Sequence, residues 1–255
     1  MRLTRNFVRL EISGRVACIT LDRVEKHNAR HHEMDEQLLR ALEAAETDPQ
    51  VQVIMVTGAG EKAFCAGSDM GEIIPVDAKS AEDFLKEHVA LYRRIERCAK
   101  PVIAAVNGYA IGGGMELALS CDVVLSSRKA SFSLPEVKLG IVSAYGLERL
   151  IASIGLSGAK EVMLSGRRMT AEEAYQKGIV HFLVGEGDFP RQAADYAQKM
   201  AEGAPMAMRL IKEMGNRFPW GEELVRQAAL LVLSEDAQEG VRAFKEKRTA
   251  MFRGR

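Results

Sequence analysis

The sequence predicts an α/β fold, a largely parallel sheet with helical crossovers followed by a helical tail. Three observations carry this reading. Two short apolar runs, residues 51–56 and 102–106, each end at a turn containing Gly or Asn, as strands buried on both faces do. Amphipathic segments of helical period precede each run, which is the alternation of a parallel sheet. Beyond about Leu147 the pattern turns mostly helical, with one short apolar segment at residues 179–184.

Taken in order, residues 8–12 and 16–21 read as a hairpin turning at Ser13-Gly14. A polar loop covers residues 22–31. Met34, Leu38, Ala41, Leu42 and Ala45 then recur at helical spacing between charges. The buried strand 51–56 runs into Thr57-Gly58-Ala59-Gly60. A second helix presents Val89, Tyr92 and Ile95 on one face and is stopped by Pro101. The strand 102–106 follows, ending at Asn107-Gly108. In the tail, Phe189, Ala193, Tyr196 and Met200 form one apolar stripe, and Leu224, Ala228 and Leu231 another. Such a tail folds back on its own core or packs on another subunit, the first being the default.

Composition narrows the function classes. With 35 basic and 35 acidic side chains the formal net charge is zero, so no global field favours nucleic acid or membrane. No apolar run approaches the ~20 residues that span a bilayer, and no secretory pattern is visible, so a cytoplasmic location is expected. The four cysteines (Cys18, Cys65, Cys98, Cys121) lack CxxC spacing and are expected to be reduced and mostly buried. The five histidines share no ligand pattern with cysteines or carboxylates, so no metal site is expected and surface positions are assigned to them.

Two glycine-containing stretches follow the buried strands. One is residues 63–70, AFCAGSDM; the other is residues 107–117, NGYAIGGGMEL. Neither matches a dinucleotide or P-loop pattern. A helix opening after Gly113 would aim free N–H groups and its positive dipole end at a bound oxygen. One N–H from each stretch would make an oxyanion hole, and ligand sites in such sheets gather at strand carboxyl ends. Glu116 in that first turn and Glu136 farther along each also fit an ordinary surface carboxylate.

The segments KPVIAAVNGYAIGGGMELALSCDVVLSS, AFCAGSDM, FSLPEVKLG, LSGRRMTAEEAYQKGIV and AFKEKRTAMF together resemble the enoyl-CoA hydratase/isomerase (crotonase) superfamily, in order and spacing over nearly the whole chain. The resemblance implies a crotonase-like spiral of ββα repeats over residues 1–195. It implies a helical C-terminal trimerisation region over 196–255, and a homotrimer or a hexamer built as a dimer of trimers. It implies acyl-CoA substrates, with coenzyme A as part of the substrate and no separate cofactor. The backbone N–H groups of Ser68 and Gly113 would form the oxyanion hole. Glu116 and Glu136 would be the catalytic carboxylates, Glu136 giving a proton to the α-carbon and Glu116 activating water. Lys26, Ala29, Ala66, Gly67, Asp69, Met70 and Gly112 would contact the acyl-CoA, joined by Phe244 and Lys247 from a neighbouring subunit.

The implied activity is that of a hydro-lyase, adding water across the 2,3 double bond of an enoyl-CoA. Hydration pushes charge onto the thioester oxygen, where preorganised donors act most strongly. Two carboxyl groups sharing the proton transfers need different proton affinities. The sequence departs from the family pattern in three places: Ser68 stands where alanine is usual, Leu134 replaces a polar residue, and residues 139–150 replace a longer proline- and glycine-rich stretch. Two alternatives stay open. Double-bond isomerisation runs on Glu136 alone, and the retention of Glu116 weighs against it. A non-catalytic RNA-binding relative is disfavoured by the zero net charge.

Overall fold

A computed structural model describes residues 5–69, 71, 78–185, 187–216, 226, 230 and 232–255. The expected stripe Leu224, Ala228, Leu231 lies outside them, as does Met70. Strands β1 (Val8–Ser13) and β2 (Val16–Leu21) form the expected hairpin, with Ser13 opposite Val16. Helix α1 (His32–Thr47) then buries Met34, Leu38, Leu42 and Ala45, the residues that carried its period.

Three ββα turns follow. The first holds β3 (Val53–Gly58), β4 (Ala63–Cys65) and α2 (Ala78–Glu96); the second β5 (Val102–Val106), β6 (Tyr109–Ile111) and α3 (Gly113–Ser120). The third holds β7 (Val123–Ser127), β8 (Ser131–Ser133) and α4 (Ala144–Ser165). In each turn the first strand joins a larger sheet and the second a smaller one. With β10 (Phe182–Val184) the larger sheet runs β1-β2-β3-β5-β7-β10, parallel apart from the β1–β2 hairpin. With β9 (Met169–Thr170) the smaller runs β4-β6-β8-β9, parallel except at β9.

The apolar runs are buried on both faces, as their composition demands. Ile54, Val56, Val102, Ala104 and Val106 enter the main core beneath the helices. Val53, Met55, Ile103 and Ala105 face the opposite side, where α6 (Phe189–Met200) covers them with Ala193 and Ala197. This helix runs across residue 195. Helix α7 (Pro205–Gly215) also folds back: the buried Lys212 ammonium donates to the carbonyls of Ile95 and Lys100 at 3.0 and 3.1 Å and pairs with Asp122 at 2.8 Å. Cys65, Cys98 and Cys121 are buried free thiols, and Cys18 is half-buried. Among the described residues no helix is long and apolar enough to cross a membrane.

One expectation needs correction. The two glycine stretches are not loops throughout. Each contains a three-residue strand, β4 and β6, too short to show a period of two. The glycine loops that leave those strands thus hang from the smaller sheet.

Candidate active site

Because β4, β6 and β8 are neighbours and parallel, their carboxyl ends lie side by side. Residues 66–69 leave β4, Gly112 and Gly113 leave β6, and Leu134, Pro135 and Glu136 leave β8. Close backbone approach joins the first two: a Cβ on Gly114 would lie 2.0 Å from the Cys65 carbonyl oxygen, so only glycine permits the contact. A fourth strip braces them. The Arg30 N–H donates to Gly67 O at 2.8 Å, Asp69 N–H to Arg30 O at 2.6 Å, and Ala66 N–H to His27 O at 3.0 Å. Buried Asn28 anchors that strip, donating to the carbonyls of Ala59 and Ala63 and accepting from the Arg23 amide. His27 and Asn28 take left-handed φ of 52° and 57° to make the turn.

The Ser68 and Gly113 amides sit on this joint. Among the described residues neither donates a hydrogen bond to the protein. A Cβ on Gly113 would meet Ser68 Oγ at 3.3 Å, which brings the two loops into contact distance. Gly113 is also the first residue of α3, whose dipole adds positive potential there. Two free amides on adjoining loops can hold one developing oxyanion.

Glu116 points out of the first turn of α3 and is held by donors alone. Its Oε1 accepts from the Ser143 hydroxyl and from the Gly146 amide at 3.1 Å, and its Oε2 from the Tyr92 hydroxyl at 3.2 Å. Ser143 is the N-cap of α4, so its hydroxyl serves helix and carboxylate together. Burial lifts the Tyr92 hydroxyl well above its ordinary value, so it remains a proton donor.

Glu136 has the opposite surroundings. It opens a 3-10 turn, Glu136–Leu139, and its buried Oε2 has no hydrogen-bond partner among the described residues. Burial, with a smaller push from the Glu116 charge, raises its proton affinity to a pKa of about 7. The fully buried Leu134 lies in the same loop. The two carboxyl groups are thereby driven towards different roles.

Gly112 makes the second of these placements possible. Its φ of 53° with ψ of −125° is open to glycine, and a Cβ would sit 2.7 Å from Glu136 Oε1. Gly112→Ala is expected to lower kcat by roughly 10²-fold through displacement of that carboxyl. It should also cost about 1–3 kcal/mol of stability from strain. Steady-state kinetics and thermal melts check both, and an unchanged kcat would contradict the assignment.

The remaining expected residues fall as follows. Lys26, Ala29 and Ala66 line the strip around the Ser68 and Gly113 amides, Lys26 exposed and the two alanines half-buried. Gly67 takes φ of 100° and Asp69 turns away to pair with Arg23 at 2.8 Å. Phe244 and Lys247 lie on and just after the C-terminal helix Glu235–Glu246, and Phe244 is 85% exposed. They take no part in the network around the glutamates. The structure adds Arg30, Tyr92 and Ser143, which the sequence did not single out. His88, expected at the surface, is half-buried and bonds Ser68 Oγ at 3.1 Å. Among the described residues no cluster of His, Cys, Asp or Glu could hold a metal ion.

Comparison with known proteins agrees with this geometry. The family model for enoyl-CoA hydratase/isomerase matches residues 11–255. The chain is 39% identical over 251 residues to the 2,3-dehydroadipyl-CoA hydratase of Escherichia coli K12, spanning 94% of this chain and 96% of that one. It is 35% identical over 253 residues to the short-chain-enoyl-CoA hydratase of Clostridium acetobutylicum, covering 95% and 96%. The crystal structure of an enoyl-CoA hydratase from Bacillus anthracis superposes with a TM-score of 0.91 at 33% identity, over 98% of this chain and 100% of that one. A ββα spiral, with a family model and relatives that match it nearly end to end, makes the chain a member of the enoyl-CoA hydratase/isomerase (crotonase) superfamily.

Proposed function

We propose that the protein hydrates the 2,3 double bond of an enoyl-CoA thioester. The observation that carries this is the contrast between two facing glutamates. Glu116 is offered three donors and no acceptor, whereas Glu136 keeps its proton up to a pKa of about 7. Hydration needs such a pair: a base for water and an acid for carbon.

The Ser68 and Gly113 amides bind the thioester oxygen and stabilise the charge that develops on it. Glu116 accepts a proton from water as the water oxygen bonds to the β-carbon. Glu136 delivers its proton to the α-carbon, so the elements of one water are added across the double bond. Proton exchange with solvent resets both carboxyl groups, and the reverse sequence is dehydration. The route calls on no group beyond these residues and the coenzyme A carried by the substrate. Lys26, Ala29 and Ala66 would contact that coenzyme A. Phe244 and Lys247 would reach it from a neighbouring subunit of a trimer.

The test follows loss of the conjugated-thioester absorbance with crotonyl-CoA and with a longer enoyl-CoA. Hydration of at least one is expected, and Glu116→Gln should reduce it by roughly 10²–10⁴-fold. Turnover of 3-enoyl-CoA alone would replace hydration by isomerisation as the reading.

A further inference from the structure

Arg30 is a charged side chain with no role in the chemistry so far, and it is fully buried: its side-chain exposure is 0%. Its environment is poor for a guanidinium. Nε faces Asp35 Oδ1 at 3.5 Å without hydrogen-bond geometry, and Nη1 has no hydrogen-bond partner among the described residues. Burying such a group costs several kcal/mol, and its backbone contacts to Gly67 and Asp69 need no particular side chain. Among the described residues its one hydrogen bond through the side chain runs from Nη2 to the Tyr92 hydroxyl at 2.9 Å.

That bond has a direction. Arg30 can only donate, so the Tyr92 oxygen accepts from it. The single Tyr92 proton is then committed elsewhere, and among the described residues two acceptors are in reach: Glu116 Oε2 at 3.2 Å and Gly113 O at 3.1 Å. Stacking on Tyr145, with ring centroids 4.7 Å apart, fixes the ring. A carboxylate offers about four acceptor positions. With the Tyr92 proton directed to Oε2, Ser143, Gly146 and Tyr92 occupy three on Glu116, which leaves one for water.

We propose that Arg30 is a positioning residue for the hydration: acting through Tyr92, it orients the Glu116 carboxylate and leaves a single acceptor position open to the reacting water. This rests on the proposed function. The groups facing Glu116 are Tyr92 from α2, Arg30 behind it, Ser143 and Gly146 from α4, and Glu136 across Gly112. Asp35 from α1 and Cys65 from β4 face Arg30 in turn.

The experiment measures the pH dependence of crotonyl-CoA hydration in the full-length wild type, Tyr92→Phe, Arg30→Met, Arg30→Lys and the Tyr92→Phe/Arg30→Met double variant. Tyr92→Phe deletes one hydroxyl and keeps the stacked ring, so it covers the case in which an Arg30 variant fails to fold. Either single loss is expected to lower kcat roughly 10- to 100-fold with KM changed less than about threefold. The acidic limb of kcat/KM should move to higher pH, because a hydrogen-bond donor in the reacting network is gone. The double variant should be no worse than the poorer single, since both act through one chain of bonds. Arg30→Lys should recover part of kcat if its ammonium reaches the Tyr92 oxygen. Folded single variants with wild-type kcat and pH limb, or losses that multiply in the double variant, would overturn the relay. A wild type that hydrates no enoyl-CoA would overturn the proposed function itself, and the relay with it.

Discussion

Glu136→Gln is expected to reduce enoyl-CoA hydration by roughly 10²–10⁴-fold and to remove the alkaline limb of its pH profile. The two effects have one source. Glu136 is the acid of the pair because burial holds its pKa at about 7, well above the ordinary 4.5. Hydration therefore proceeds with Glu136 protonated, and kcat/KM falls as pH rises through about 7. Gln keeps the shape and hydrogen-bonding span of the carboxyl group but has no proton to deliver, so the residual rate should be flat across that range. Stability gives an independent check. Between pH 4.5 and about 7 the folded state binds more protons at this site than the unfolded chain, so the site's contribution to stability falls as pH rises through that window. Gln carries no charge to desolvate. At pH 8 the variant should therefore melt above the wild type, and the gap should close below pH 4.5. Wild-type turnover in Glu136→Gln would sink the mechanism. An unchanged melting difference across pH would refute the desolvated environment.

How the sequence conveyed this site depended on which signals are periodic and which are local. The long strands were legible because five or six apolar residues bounded by turn chemistry have few other readings. The local signals for Ser68, Gly113 and Glu116 are two glycine stretches and a helix start after Gly113, and their roles come from the family resemblance over nearly the whole chain. The smaller sheet was not legible. Strands of two or three residues, such as Tyr109–Ile111 and Met169–Thr170, carry too few positions for alternation to register. Tyr92 was read as the apolar face of its helix, and by burial it belongs there. Its function lies in one hydroxyl whose partners, Arg30 and Glu116, are 62 and 24 residues away in the chain. Arg30 was invisible for a different reason: a charged side chain in a polar loop looks solvated until tertiary structure closes over it. Ser143 had a local signal, since serine before a helical run is a common N-cap. That its hydroxyl also reaches Glu116 follows from how the stretch after Glu136 returns to α3.

The second large effect concerns an amide rather than a side chain. Ser68→Pro is expected to lower kcat by on the order of 10²–10³, the usual cost of losing one oxyanion donor, while Ser68→Ala stays within about threefold of wild type. Proline deletes the N–H, which donates to no protein group among the described residues, and it shares with Ser68→Ala the loss of the hydroxyl that bonds His88. The preceding residue, Gly67, already holds φ of 100° and has no Cβ to clash with the proline ring. Ser68→Ala removes the hydroxyl and its 3.1 Å bond to His88 but keeps the amide. The pair thus separates the backbone donor from the side chain that happens to occupy the position. If the Ser68 amide holds the thioester oxygen in the transition state, the loss in Ser68→Pro appears in kcat more than in KM. A melting temperature near wild type then shows that the loop has kept its shape. Equal losses in the two variants would move the function from the amide to the hydroxyl and would make the Ser68–His88 contact the group to pursue.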